Sequence, residues 1–222
     1  MSCAPDNVLK VVETGRFPTN PLIHAGSSPT LGDNINGPSV IRVPDWLPGR
    51  LGAYYMYFAH HSGTHIRLAH ADRPEGPWTV HEPGALQLDR ATAFHDHIAS
   101  PDVHVDEATR TIRMYFHGPV RGRPGQWTGV AHSRDGLTFD ARPDVLGKFY
   151  FRVWRWRGHF YALAKNDDEG WGEFYRSPDG LGGFESRGNF LKDVRHSAVL
   201  VRGDHLLIFY SRVGDAPERI LA

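Results

Sequence analysis

Histidine and carboxylate side chains crowd a few places in this sequence. Asp96 stands between His95 and His97, His60 is followed by His61, and His117 and His196 sit at the ends of apolar runs. There are 14 histidines in 222 residues. Imidazole has an ordinary pKa near neutrality, so beside a carboxylate it can give or take a proton near pH 7. The same groups are N and O donors for a divalent ion, and His60, His61, His95, Asp96, His97, His117 and His196 are the set that would converge as ligands. A His-x-His spacing alone defines no metal site, and a structural calcium ion, a zinc ion and a water are left open as its occupant.

The elements that must position these residues repeat. A short apolar run follows a Pro or an aromatic residue, then come a turn and an aromatic-rich run. The unit reads Pro38–Val43 with Tyr54–Ala59, Pro101–Val105 with Ile112–Phe116, Phe151–Trp156 with His159–Ala164, and Ser197–Val201 with His205–Tyr210. The recurrence of roughly 45–60 residues is that of four-stranded propeller blades. The expected fold is therefore all-β, a β-propeller of four-stranded blades within one domain, 1–222. It has a leading segment over 1–34 and blades over about 36–88, 97–145, 149–191 and 196–222, the last one partial. Third strands are expected at Ile66–Ala71 and Trp127–His132, an outer strand from Trp78, and a further strand beginning at Glu218–Leu221. In the leading segment, Val8–Val12 reads as a strand. Ser133-Arg134-Asp135-Gly136 and Ser177-Pro178-Asp179-Gly180 read as turns in which Asp binds local backbone and Gly takes φ > 0.

Such a fold sorts residues by place. The innermost strand of each blade starts at one face of the propeller, and the second strand returns to it. Residues before strand one and just after strand two converge there: Asn36, His95, Asp96, His97, Asp102, Arg152 and His196 from the first set, His60, His61, His117, Lys165, Asn166 and Arg212 from the second. The opposite face carries ordinary turns, which points function to the histidine-rich face. The remaining histidines, His65, His70, His81, His132, His159 and His205, read as structural. Trp154 and Trp156 read as core packing.

Composition narrows the partners. Lys+Arg and Asp+Glu both number 25, leaving no basic surface for nucleic acid or an anionic membrane. No apolar stretch reaches the ~18–20 residues of a membrane span. The sequence start lacks the basic and apolar pattern of a signal peptide, so a cytoplasmic location is expected. The single Cys3 forms no intramolecular disulfide. Sixteen Pro and 24 Gly fit many turns and few long helices. Oligomeric state is not set by the sequence.

Ala99-Ser100-Pro101-Asp102-Val103-His104 resembles the Ala-Pro-Asp-Val segment opening the second blade of family-43 glycoside hydrolases. Pro38–Val43 followed by Tyr54–Tyr57 resembles their first-blade opening. The resemblance spans about residues 36–213. It implies a five-bladed propeller, here C-terminally truncated, of the arabinanase, xylosidase and invertase type, with an oligosaccharide as partner. It also implies an Asp base before the blade-one Pro, a blade-two Asp that tunes pKa, and a blade-three Glu acid, which together perform inverting hydrolysis. The middle position maps onto Asp102. The base position holds Gly37, with Asn36 before it, and the acid position near Phe151-Arg152-Val153 holds no carboxylate.

The resulting expectation is a glycoside hydrolase-like protein acting by acid/base chemistry in the central pocket. Asp102, Asp96 and His97 are its catalytic candidates. Asn36, His60, His61, His117, Arg152, Asn166, His196 and Arg212 are its substrate-binding candidates. Asp33, Asp167 and Glu173 are further carboxylates placed to substitute for the missing ones. Two alternatives stand beside it: a catalytically silent sugar-binding propeller, and a metal-assisted hydrolase or lyase built on the histidines.

Overall fold

The computed structural model describes residues 15–168 and 170–222, and the Val8–Val12 strand expectation and Cys3 lie outside them. Strands β1 (Asn36–Arg42), β2 (Tyr54–Ala59), β3 (His65–Ala71) and β4 (Thr79–Gln87) form one antiparallel sheet in chain order. This is the first blade. Tyr55, Tyr57 and Phe58 of β2 are buried because the strand lies between β1 and β3 and between two packed layers.

The next seven strands form one continuous sheet: β5 (Ala99–Asp106), β6 (Thr111–Pro119), β7 (Gln126–Ser133), β8 (Asp140–Trp156), β9 (His159–Asn166), β10 (Trp171–Ser177) and β11 (Glu185–Lys192). Two separate strands were expected where β8 runs unbroken for 17 residues. Its first half pairs with β7 as the outer strand of blade two, and its second half pairs with β9 as the inner strand of blade three. At the junction Tyr150 takes φ +64° inside a register irregularity, and the strand continues past it with its pairing edge changed. The β8–β9 hairpin closes on Arg157 and Gly158, both at positive φ, the backbone demanded by a two-residue turn.

Strands β12 (Val194–Arg202) and β13 (His205–Arg212) make a two-stranded fourth blade. The strand expected from Glu218 is a single bridge, in which Tyr210 and Leu221 exchange backbone hydrogen bonds at 2.9 and 2.7 Å. The outward side chains of this blade are open, with Leu200 50% and Leu206 37% exposed.

The core lies between blades. Ile41, Val43, Tyr57, Phe94, Val103, Met114, Phe116 and Phe139 fill the space between blades one and two. Tyr115, Val130, Leu146, Phe151, Val153 and Tyr175 continue it through blades two and three. Leu31, Met56, Phe58 and Ala69 seal the outer side of blade one under Leu22, Ile23 and Ile35 of the leading segment. Each fully buried aromatic or aliphatic side chain contributes about 1.5–3 kcal/mol.

Polar ties repeat with the blades. The hydroxyl of Tyr57 on β2 donates to the Gly136 carbonyl of the next blade's turn at 2.8 Å, and Tyr115 on β6 does the same to Gly180 at 2.8 Å. Both Ser-x-Asp-Gly turns form as expected: Asp135 accepts from the Leu137 and Thr138 N–H groups, and Asp179 from Leu181 and Gly182. Among the described residues no helix is long and apolar enough to cross a membrane.

Candidate functional site at the axial face

Each of the first three inner strands opens with the same irregularity. Register slips by one residue between Asn36 and Ser39, between Ala99 and Asp102, and between Phe149 and Arg152. Inside each slip one residue takes a left-handed φ: Gly37 at +59°, Ser100 at +46° and Tyr150 at +64°. For a residue other than Gly, this conformation costs on the order of 1–3 kcal/mol. Gly37 has a steric reason as well, because a Cβ there would lie 3.0 Å from Cα and Oγ of Ser100.

The residue just after each slip faces the following blade. Ser39 Oγ accepts the Val103 N–H at 2.9 Å, Asp102 Oδ2 accepts the Val153 N–H at 2.7 Å, and Arg152 Nε donates to the Ser197 carbonyl at 3.3 Å. Three equivalent positions thus hold a hydroxyl, a carboxylate and a guanidinium, and each ties its blade to the next. Asp102 Oδ2 also pairs with His104 Nε2 at 2.8 Å. Burial raises the Asp102 pKa, but His104, Arg152 and the Val153 N–H outweigh it and hold the carboxyl below its ordinary value. Asp102 is therefore ionised at neutral pH.

Around this ring lies a cluster of imidazoles and aromatics. His117, on β6, is buried, with its ring 4.6 Å from Tyr150 and 5.4 Å from Phe149. His196 meets Tyr150 edge-on at 5.2 Å, and the Arg152 guanidinium carbon lies 6.0 Å from that ring. Burial, with the charge of Arg152 and the nearby His97 and His61, pushes the His117 pKa down to about 3, so its ring is neutral across the physiological range. Partial burial likewise lowers His196. Two buried polar atoms at this face have no hydrogen-bond partner: His117 Nδ1 and Asn36 Oδ1. Such orphans call for a partner, since burying one costs about 1–3 kcal/mol.

The other expected site residues divide. Asn36 Nδ2 contacts Asn34 Oδ1 at 3.0 Å and His61 Nδ1 at 2.9 Å, which draws His61 to the first-blade rim of the face. His97 pairs with Gln126 at 3.1 Å. Its carbonyl lies over Gly118, where a Cβ would come within 2.2 Å of it. His60 Nδ1 accepts the Ser62 N–H within its own turn. Asp96 is exposed and pairs with His95 at 3.0 Å, away from Asp102. Asn166 is spent inside blade three, donating to Glu173 at 3.2 Å and accepting from the Asp168 N–H. Arg212 is exposed and reaches only Tyr210 at 3.4 Å. Of the substitute carboxylates, Glu173 is held by Asn166, Asp167 pairs with Lys165 at 2.8 Å, and Asp33 is exposed. The histidines do not converge as ligands: among the described residues, no three His, Cys, Asp or Glu side chains come together to hold a metal ion.

Sequence reasoning missed Tyr150, Ser39, His104 and Glu218. Tyr150 reads as one more aromatic in a strand, and only the slip reveals it. Ser39 and Asp102 share a place after Pro in the repeat, which is a signal for their common role. Glu218 accepts from Ser211 at 2.6 Å and lies 3.5 Å from Arg195, across an irregular segment.

No protein-family model matches the chain. "Uncharacterized protein R118" of Acanthamoeba polyphaga mimivirus is 33% identical over 243 residues, an alignment covering 93% of this chain and 67% of the viral protein. The chain belongs to the family of that viral protein. Among solved structures, a thermostable family-43 glycoside hydrolase superposes with a TM-score of 0.61 at 15% identity, covering 85% of this chain and 71% of that one. An N-acetylgalactosamine deacetylase from F. plautii, in complex with blood group B trisaccharide, superposes with a TM-score of 0.60 at 13% identity, covering 83% and 64%. The chain thus has the propeller fold of the family-43 glycoside hydrolases, as the blade-opening resemblance implied.

Proposed function

We propose that this member of the viral protein's family holds an oligosaccharide at the axial face, and that recognition rather than two-carboxylate hydrolysis is the chemistry of the site. One observation carries this reading. The equivalent positions after the three strand slips are Ser39, Asp102 and Arg152, and Asp102 spends one oxygen on two hydrogen bonds. Inverting hydrolysis needs an ionised base and a protonated acid on either side of the sugar. Asp102 is ionised and suits the first role. The carboxylates of the described loops considered for the second are paired or exposed, and Glu218 is held below its ordinary pKa by Ser211. A face that gathers an aromatic ring, neutral imidazoles and unpartnered polar atoms instead favours ligand recognition. The two folds that superpose come from carbohydrate-processing enzymes of different chemistry, and fold alone does not choose between them.

Hydrolysis with Asp102 as base is the second reading, favoured by that group's ionised state. Titration calorimetry and product release on the same panel of neutral oligosaccharides separate the two. Binding without turnover supports recognition. Turnover that disappears in Asp102→Asn and persists with chelator supports hydrolysis. Turnover lost with chelator overturns both in favour of metal-assisted chemistry, and neither binding nor turnover by folded protein overturns the carbohydrate reading.

A further inference from the structure

The left-handed positions of the inner strands carry Gly37 and Ser100 in blades one and two, residues with little or no side chain to place. Blade three puts a tyrosine there. Bulky residues rarely accept this backbone, and where they do the surroundings hold them for a reason. A glycine would make the same turn without strain, so the turn itself does not require the ring. The ring lies 4.6 Å from His117 at a 45° tilt and 5.2 Å from His196 in an edge-on contact, with the Arg152 guanidinium carbon at 6.0 Å, and it is only half-buried. The buried, unpartnered Nδ1 of His117 lies in the ring that packs against it, and unpartnered Asn36 Oδ1 belongs to the same face.

From this placement we infer that Tyr150 is the stacking platform for an uncharged sugar ring, with His117 and Asn36 meeting its hydroxyl groups. The inference rests on the carbohydrate reading above and deepens it. A sugar presents an apolar C–H face to an aromatic ring and hydroxyls around its edge, which matches one aromatic surface rimmed by polar atoms. A neutral imidazole keeps one lone pair free to accept a hydroxyl hydrogen. The sugar ring is uncharged because the nearby cations are already engaged: Lys165 by Asp167 at 2.8 Å, Arg195 by Glu218 at 3.5 Å, and Arg152 by the carbonyls of Ser197, Pro101 and Phe151, to which it donates.

The test compares wild type, Tyr150→Phe and Tyr150→Gly by titration calorimetry and thermal unfolding. The probes are xylotriose, arabinotriose and galactotriose, with trigalacturonate as the charged control. The expected result is wild-type binding of a neutral trisaccharide, retained within about threefold in Tyr150→Phe and weakened at least about tenfold in Tyr150→Gly. The Tm of Tyr150→Gly should be no lower than wild type, since strain relief offsets lost packing. Equal binding by wild type and Tyr150→Gly overturns the inference and leaves the carbohydrate reading standing. Loss of binding together with a lowered Tm identifies the ring as packing and also overturns it. Binding of trigalacturonate alone removes the uncharged sugar. No sugar bound by wild type removes the carbohydrate reading and this inference together.

Discussion

The carboxylate of Asp102, on the inner strand of blade two, accepts the backbone N–H of Val153 on the inner strand of blade three at 2.7 Å. The carboxylate nearest the candidate site is therefore also a tie between blades. Asp102→Ala leaves a buried N–H and His104 without their partner. The expected cost is about 2–4 kcal/mol, a fall in Tm of about 5–15 °C for a chain of this size. Asp102→Asn keeps an acceptor for Val153 and should lose less than half as much. Thermal scans of the three proteins check this ordering, and an unchanged Tm in Asp102→Ala rules out the tie.

Acid should weaken the fold through His117. In the unfolded chain an imidazole gains a proton below about pH 6.5, whereas folded His117 resists until about 3. Between those values the unfolded state binds more protons, so stability rises with pH. From pH 7 to pH 5 this one residue removes about 2 kcal/mol. Asp102 acts in the same direction at lower pH. Its folded pKa lies below the unfolded carboxyl value, so its contribution is present above about pH 4 and lost as pH falls through the folded value. His117→Gln should flatten the decline measured by urea unfolding at pH 7 and pH 5. Parallel declines in both proteins would place the pH sensitivity elsewhere.

The tyrosine ties should be worth similar amounts because their geometry is the same. Tyr57→Phe and Tyr115→Phe each remove one buried hydroxyl donor to a turn carbonyl. Each should cost about 0.5–1.5 kcal/mol, and neither should change sugar affinity. A double variant should add the two losses within about 0.5 kcal/mol, because the sites share no partner. Strong non-additivity in denaturant midpoints would show that the blades are coupled through another route.

The blade order was legible because the repeat combines apolar runs with turn chemistry, and both act locally. The Asp135 and Asp179 turns follow from residue type and spacing alone, whereas the hydroxyl ties of Tyr57 and Tyr115 to those turns do not. The fused strand β8 was not legible, since nothing in Gly147–Phe151 announces that the backbone stays extended while its pairing edge changes. The site was legible only as a face. Asp102 could be placed there, but its bond to Val153 joins residues 51 apart. Asn166 looked free because its partner Glu173 lies on the next strand. Tyr150 was invisible because a backbone angle, not a residue type, sets it apart.

Strand β8 also bears on which parts of the axial face can yield. A tilt of blade three against blade two would have to bend one rod that is laddered on both halves, and Tyr150 sits at its bend. That wall is stiff. Compliance belongs to the sides, where the stretch between Leu88 and Ile98 joins blades one and two through irregular chain, and where the two-stranded blade adjoins β8 without sharing its ladder. A ligand on the axial face would thus press a yielding edge against a fixed anvil, with Tyr150 mounted on the anvil.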